Sequence, residues 1–140
     1  MGGTVTKPTG HSDTLTRGIR VRVGAQLVPS QSKPERRRWM YTYRVLVRND
    51  GEETVQLLSR HWVILDADND CQEVRGTGVV GQQPVLEPGE SFSYMSGCPL
   101  PTEWGSMEGS YTMRTAAGET FEAEIGRFFL APTTAPIPAA

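Results

Sequence analysis

The sequence predicts an all-β fold, an antiparallel sandwich of the immunoglobulin or fibronectin III kind with about seven strands. Three observations support this prediction. Apolar and polar residues alternate with a period of two in several stretches. Turn-forming residues separate these stretches at nearly regular spacing, and helical periodicity is almost absent. A succession of short strands and turns of this kind is typical of two packed antiparallel sheets.

The first half of the chain contains three predicted strands. Alternation marks residues 19–27 and 39–47 as half-buried strands. Residues 55–65 are apolar on both faces, as expected of a central strand, and Asn49-Asp50-Gly51 supplies the turn before them. The connection at residues 33–38 is basic; we interpret it as a solvated loop, with a phosphate-binding patch as the alternative.

The fourth and fifth strands are expected on either side of a tight turn. Residues 71–80 form a short strand, and a fifth strand starts near Phe92. Between them, Pro88-Gly89 suits the two central positions of a type II turn. If these two strands pair as a hairpin, Cys71 lies opposite Cys98. We expect both thiols to be reduced in a cytosolic setting.

The chain ends in a predicted hairpin. Residues 107–115 and 119–130 flank Ala116-Ala117-Gly118 as its two strands. Within the second strand the apolar residues change parity after Ile125. A β-bulge at Gly126 would restore the phase of the side chains.

Length and charge narrow the class of protein. The 140 residues suit one domain, and 14 basic against 16 acidic residues lack the basic excess that is usual for nucleic-acid binding. No apolar run approaches the roughly 20 residues of a membrane-spanning helix. We expect a domain at residues 16–131, a disordered tail at 1–15 and a flexible tail at 132–140. Residues 1–10 lack the apolar core of a secretory signal, which favours a cytoplasmic location.

Catalytic residues are scarce. His61 is the one histidine outside the N-terminal tail, and it shares a strand face with Ser59. Side chains two residues apart on a strand lie ~7 Å from each other, too far for the hydrogen bond of a catalytic triad. We therefore interpret His61 as a packed or hydrogen-bonded strand residue and predict that the protein is not an enzyme.

An acidic turn resembles the start of a calcium-binding loop. Asp66, Asp68 and Asp70 are spaced as in an EF-hand, but Cys71 stands where the loop requires glycine and Thr77 where it requires glutamate. We predict an acidic turn without a tight metal site, weak cation binding remaining possible. The two cysteines do not make a zinc site by count, so no cofactor is predicted.

The strongest candidate for a binding site is a glycine-rich stretch. Gly76, Gly78 and Gly81 form a G-x-G-x-x-G pattern, but Gln82-Gln83-Pro84 follows where a dinucleotide site requires a helix. Two interpretations remain: a turn at the sandwich edge, or a loop whose backbone N–H groups contact an anion. We predict anion or partner binding by the residues of this stretch that combine flexible backbone, polar side chains and positive charge: Arg75, Gly76, Gly78, Gly81, Gln82 and Gln83.

Four stretches of the sequence resemble the ApaG (CorD) family. They are VQLLSRHW at residues 55–62, EVRGTGVVGQQP at 73–84, LEPGESF at 86–92 and GSYTM at 109–113. The resemblance implies a fibronectin III-like sandwich. It also implies a genetic link to cobalt tolerance and magnesium efflux, and kinship with eukaryotic domains that look like protein-interaction modules. A nucleotide or pyrophosphate site at the three glycines is implied as well, without the Walker lysine that hydrolysis would require.

These observations leave two functions open. The first is a non-enzymatic binding module for an unidentified protein partner, with no role in nucleic-acid or membrane binding. The alternative is a nucleotide- or pyrophosphate-binding protein that uses the loop from Gly76 to Gly81. A direct metal carrier is disfavoured because soft ligands are few.

Overall fold

The computed structural model describes residues 10–132, which form two antiparallel sheets packed as a sandwich. Within this range the strands are β1 His11–Thr16, β2 Ile19–Leu27, β3 Trp39–Asn49, β4 Val55–Asp66, β5 Cys71–Thr77, β6 Val85–Leu86, β7 Ser91–Leu100, β8 Gly105–Thr115 and β9 Thr120–Leu130. Two short 3-10 turns, Pro29–Gln31 and Pro34–Arg36, connect β2 to β3. The predicted all-β sandwich is confirmed. No helix in the described range is long and apolar enough to cross a membrane.

Two strands were not predicted, β1 and β6. One sheet has the order β1-β2-β3-β7 and the other β5-β4-β8-β9, with β6 pairing with β4. The tail interpretation is wrong for residues 11–15, because β1 pairs along β2 and bonds to the other sheet. The Thr14 hydroxyl donates to the Glu124 carbonyl at 2.5 Å, and the Glu124 N–H donates to the Thr16 hydroxyl at 3.1 Å. Residues 1–9 and 133–140, also assigned to tails, lie outside the described residues.

The core lies between the sheets and is centred on Trp62. This ring makes edge-on contacts with Tyr43, Tyr111 and Phe128, at centroid distances of 5.3, 6.3 and 6.0 Å. Alternate residues of β2 and β3 face it from the first sheet, as the period-two pattern predicts. Aromatic pairs in this geometry add to the stability that burial provides.

The last hairpin contains the predicted bulge. Met107 pairs with Phe128 and Gly109 with Ile125, so that Gly126 and Arg127 face the single residue Glu108. Ile125 and Phe128 are three positions apart, an interval that places side chains on opposite faces of a regular strand. Because of the extra residue, both reach the core.

The predicted hairpin of the fourth and fifth strands is wrong. β5 pairs with β4, whereas β7 pairs with β3 in the other sheet. Cys71 is therefore in register with Leu65 and Cys98 with Tyr41. Both cysteines are free; Cys71 is exposed and Cys98 is buried.

The two sides of the sandwich differ. β1 and β9 are edge strands on one side, and the threonine hydrogen bonds described above join them. β5 and β7 are the edge strands on the other side, where a pocket separates the sheets. The glycine-rich stretch lies on this second side, at the end of β5.

Candidate functional site

The glycine-rich stretch forms the end of β5 and the loop that leads to β6. The Gly78 N–H donates to the Leu58 carbonyl at 2.8 Å, which ties the start of the loop to β4. Val79 and Gln82 then exchange two backbone hydrogen bonds of 2.8 Å each, closing a two-residue turn. Its central residues, Val80 and Gly81, have φ values of +42° and +79°. Positive φ at both central positions is the signature of a type I′ turn.

Each of the three glycines has its own structural cause. Gly78 has a φ of +64°, and a Cβ there would lie 2.3 Å from the Gln82 carbonyl oxygen. Gly81 has positive φ but open space around its Cα. Gly76 lies within β5 opposite Arg60, and a Cβ there would lie 2.6 Å from Arg60 Nη2. These internal constraints explain the glycines without requiring a ligand.

Several polar groups of the loop are already used within the chain. The N–H groups of Gly78, Val79 and Gln82 all donate to backbone carbonyls. Gln83 donates from Nε2 to the Leu58 carbonyl at 2.9 Å, and its own carbonyl accepts from Gln56. The glycines therefore do not gather these three N–H groups around a common point, as an anion-binding nest would.

Other candidate side chains face solvent. The Arg75 side chain is 72% exposed, and its Nη2 lies 3.7 Å from Glu73 Oε1. Gln82 is exposed, and Val80 at the turn is 53% exposed. Arg75 and Gln82 are therefore exposed residues of β5 and its loop. Gly76 and Gly78, in contrast, are required by close contacts with other atoms of the chain.

His61 and the acidic turn are both engaged locally. His61 Nε2 and Glu73 Oε1 are hydrogen-bonded at 2.7 Å across β4 and β5, so His61 is a hydrogen-bonded strand residue, as expected. Asp66 Oδ1 accepts from the backbone N–H groups of Asp68 and Asp70, at 2.8 and 3.0 Å. Among residues 10–132, no group of three or more His, Cys, Asp or Glu side chains could hold a metal ion.

The model of the ApaG domain matches residues 29–115, more than half of the chain. The chain belongs to the ApaG domain family.

Curated relatives and solved structures agree with this assignment. Protein ApaG of Methylobacterium radiotolerans is 61% identical over 115 residues, covering 82% of this chain and 88% of the relative. Protein ApaG of Rhodospirillum centenum is 56% identical over 116 residues, covering 83% and 89%. A crystal structure described as an ApaA protein from Bordetella pertussis superposes with a TM-score of 0.79 at 44% identity, covering 91% of this chain and all of that one.

Sequence reasoning missed two residues of this ApaG domain. Val80 occupies a turn position with positive φ, where asparagine or glycine is usual. Arg60 has the same strand parity as the core residue Trp62, so its charge points between the sheets. The sequence carried a signal for Arg60, because a charge at an inward position of an otherwise apolar pattern is unusual. The Val80 signal was weaker, since it depends on knowing the turn type.

Proposed function

We propose that the chain is a non-enzymatic binding module for another protein and that Val80 is a central contact. The observation that carries this proposal is the conformation of Val80, which is 53% exposed with a φ of +42°. A left-handed conformation costs an L-residue about 1–2 kcal/mol, and a β-branched side chain adopts it rarely. Backbone strain at an exposed apolar side chain has a physical purpose if that side chain binds a partner.

The surroundings of Val80 suit recognition of a protein surface. Arg75 and Gln82 supply an exposed charge and an exposed amide in the adjoining segment. β5 lies at the edge of its sheet and is paired on one side only, with β4. An edge strand offers unpaired backbone N–H and C=O groups to an extended segment of another chain. The partner that fits has an apolar hollow for Val80 and an acidic group for Arg75.

The nucleotide alternative has less support from the geometry. Three N–H groups of the glycine loop already donate hydrogen bonds to backbone carbonyls of this chain. A phosphate would need donors that remain available in the folded protein. In the proposed function, the family's link to cobalt tolerance and magnesium efflux acts through the bound protein, with no metal held by this chain.

The test is a pull-down from the native host with the folded Val80→Asn variant beside the parent. Asparagine tolerates positive φ, so this change removes the apolar contact without straining the turn. Leu15→Asn is the matched control, because Leu15 is an exposed apolar residue of β1 with 57% exposure. We expect Val80→Asn to lose specific partners that the parent and Leu15→Asn retain.

The opposite result is equally informative. If Val80→Asn recovers every partner at parental levels, the proposed contact is wrong. Titration of the parent with pyrophosphate, followed by the amide resonances of Gly76 to Gly81, tests the alternative. Saturable shifts of those amides together with unchanged pull-downs would favour nucleotide or pyrophosphate binding.

A further inference from the structure

A pocket of about 270 Å³ lies between the two sheets on the side of β5 and β7. It is separate from the turn at Val80, and both sheets contribute to its wall. Its apolar and aromatic lining includes Tyr43, Trp62, Val74, Cys98 and Met107. This volume is slightly below the range of about 300–1,000 Å³ that is usual for drug-sized ligands, so the pocket suits a small molecule.

One positive charge lines this pocket, and the lining residues include no acidic side chain to balance it. Arg60 donates from Nη1 to the carbonyls of Thr77 and Gly78, at 3.1 and 2.8 Å. Among residues 10–132, no carboxylate forms an ion pair with Arg60. The pocket therefore combines a mainly apolar wall, in which Gln72 and Ser96 are the neutral polar side chains, with a single cation that has no ion-pair partner. A partly buried charge of this kind gains stability from an anionic partner.

A second, independent feature is the indole of Trp62. Trp62 is 2% exposed, lines the pocket, and has no hydrogen-bond acceptor for Nε1 in the described part of the chain. A buried donor without an acceptor costs about 1–3 kcal/mol, and native proteins keep few such groups. Nε1 itself has almost no accessible surface, so Trp62 offers a ligand the apolar surface of its ring, and its N–H resonance reports on changes beside it.

We propose that this pocket binds a small organic monocarboxylate, with the carboxylate at Arg60 and the apolar body against Trp62 and Val74. A single cation without a nearby acid matches one negative charge, whereas a polyphosphate would need several cations. Nη1 of Arg60 is engaged by the Thr77 and Gly78 carbonyls, and the N–H groups of Nε and Nη2 form the edge that suits two parallel hydrogen bonds to a carboxylate. The apolar lining favours an organic body over an inorganic anion.

The test follows the tryptophan indole N–H resonances of the ¹⁵N-labelled protein, with Trp62→Phe to assign the Trp62 signal. The probes are phenylacetate and 3-methylbutanoate, with phenylacetamide as the uncharged control and pyrophosphate as the polyanion. We expect both carboxylates to shift the Trp62 signal saturably at millimolar concentration, with phenylacetamide far weaker. Arg60→Gln should weaken binding roughly tenfold or more through loss of charge-assisted hydrogen bonds.

Arg114→Gln is the matched control, since it removes an equal charge from an exposed position of β8 that does not line the pocket. It should bind the carboxylates as the parent does. If Arg60→Gln fails to fold, Arg60→Lys replaces it, because lysine keeps the charge but not the planar fork, and binding should still weaken. The proposal is wrong if neither carboxylate saturates the Trp62 shift, if phenylacetamide binds equally well, or if the Arg60 variant binds at parental affinity. A saturating shift with pyrophosphate alone would also overturn it.

Discussion

The Arg60 guanidinium occupies the space that a side chain at position 76 would need. A Cβ on Gly76 would lie 2.6 Å from Arg60 Nη2, and Nη1 of the same group donates to the carbonyls of Thr77 and Gly78. Gly76 thus allows a charged side chain of β4 to lie against β5 and hold the start of the loop. The glycine pattern is in this respect a packing feature of two neighbouring strands.

Alanine substitutions should separate the roles of the loop glycines. Gly78→Ala brings a Cβ to 2.3 Å from a backbone carbonyl at positive φ, so we expect unfolding free energy to fall by more than about 2 kcal/mol. Gly81→Ala meets no atom within 4 Å and should cost about 1 kcal/mol from backbone strain alone. Urea unfolding measures both values. Equal costs at the two positions would contradict this account.

Val80→Asn should stabilise the fold. Asparagine before glycine is preferred at the centre of a type I′ turn, whereas valine is strained there. We expect the free energy of unfolding to rise by about 1 kcal/mol, measured by urea unfolding beside Leu15→Asn. The Leu15 variant should change little because its backbone is an ordinary strand. A lower stability for Val80→Asn would show that the valine side chain contributes packing that outweighs its strain.

The sequence predicted strands well where one face is buried and the other is not. Alternation identified β2 and β3 because their inner residues, such as Val21 and Val45, are fully buried. β1 was not predicted, because it is joined to β9 by hydrogen bonds of the Thr14 and Thr16 hydroxyls. Such bonds leave no pattern of apolar residues in the sequence. The periodicity of apolar residues indicates which face of a strand is buried, and it does not indicate side-chain hydrogen bonds of this kind.

Strand pairing and the candidate site were harder to predict. Nothing in the pattern of β7 distinguishes pairing with β5 from pairing with β3. The hairpin on which the pairing of Cys71 with Cys98 depended is therefore absent without any warning in the sequence. At the glycine loop the motif located an exposed turn. Whether its N–H groups are available depends on contacts with distant residues such as Leu58, and those require the fold.

The two thiols should differ sharply in reactivity. Cys71 is exposed, whereas Cys98 is buried and its burial raises the pKa of the thiol to about 11. Because the thiolate is the reactive form, we expect one fast-reacting thiol in the native protein and two in denaturant, measured with a chromogenic disulfide reagent. Cys71→Ser should abolish the native reaction. Two fast thiols in the folded parent would contradict the buried position of Cys98.

Alkaline pH should unfold the protein partly through a buried tyrosine pair. The hydroxyls of Tyr94 and Tyr111 are hydrogen-bonded to each other in the core, and burial raises the pKa of both. Tyrosine in the unfolded chain ionises near pH ~10. The folded-state pKa values are higher, so the unfolded state loses its protons first and is favoured as pH rises.

The contribution of this pair to the free energy of unfolding is therefore fully present below pH ~10 and declines as the pH rises above that value. We expect the free energy of unfolding to fall less steeply above that pH in the double variant Tyr94→Phe with Tyr111→Phe, measured by urea unfolding across an alkaline series. Part of the slope should persist, since burial also raises the pKa of Tyr41 and Tyr43. Identical slopes in parent and double variant would show that the pair does not ionise on unfolding as described.

The acidic turn should depend on Asp66 for stability and bind metal only weakly. Asp66 is buried, and its Oδ1 accepts hydrogen bonds from two backbone N–H groups. Asp68 and Asp70 are both exposed. Asp66→Ala leaves those donors without their acceptor and should cost about 1–2 kcal/mol. The double variant Asp68→Asn with Asp70→Asn should remove negative charge at little cost in stability.

Calorimetry with cobalt and with magnesium completes this test. Hard and borderline cations need several oxygen or nitrogen ligands that converge, and one Asp66 oxygen is already engaged by the turn. We expect weak heats in the parent, reduced further in the Asp68 and Asp70 double variant because the remaining attraction is electrostatic. A stoichiometric site of submicromolar affinity would overturn this expectation, and its loss in the double variant but not in Asp66→Ala would assign the ligands to the exposed carboxylates.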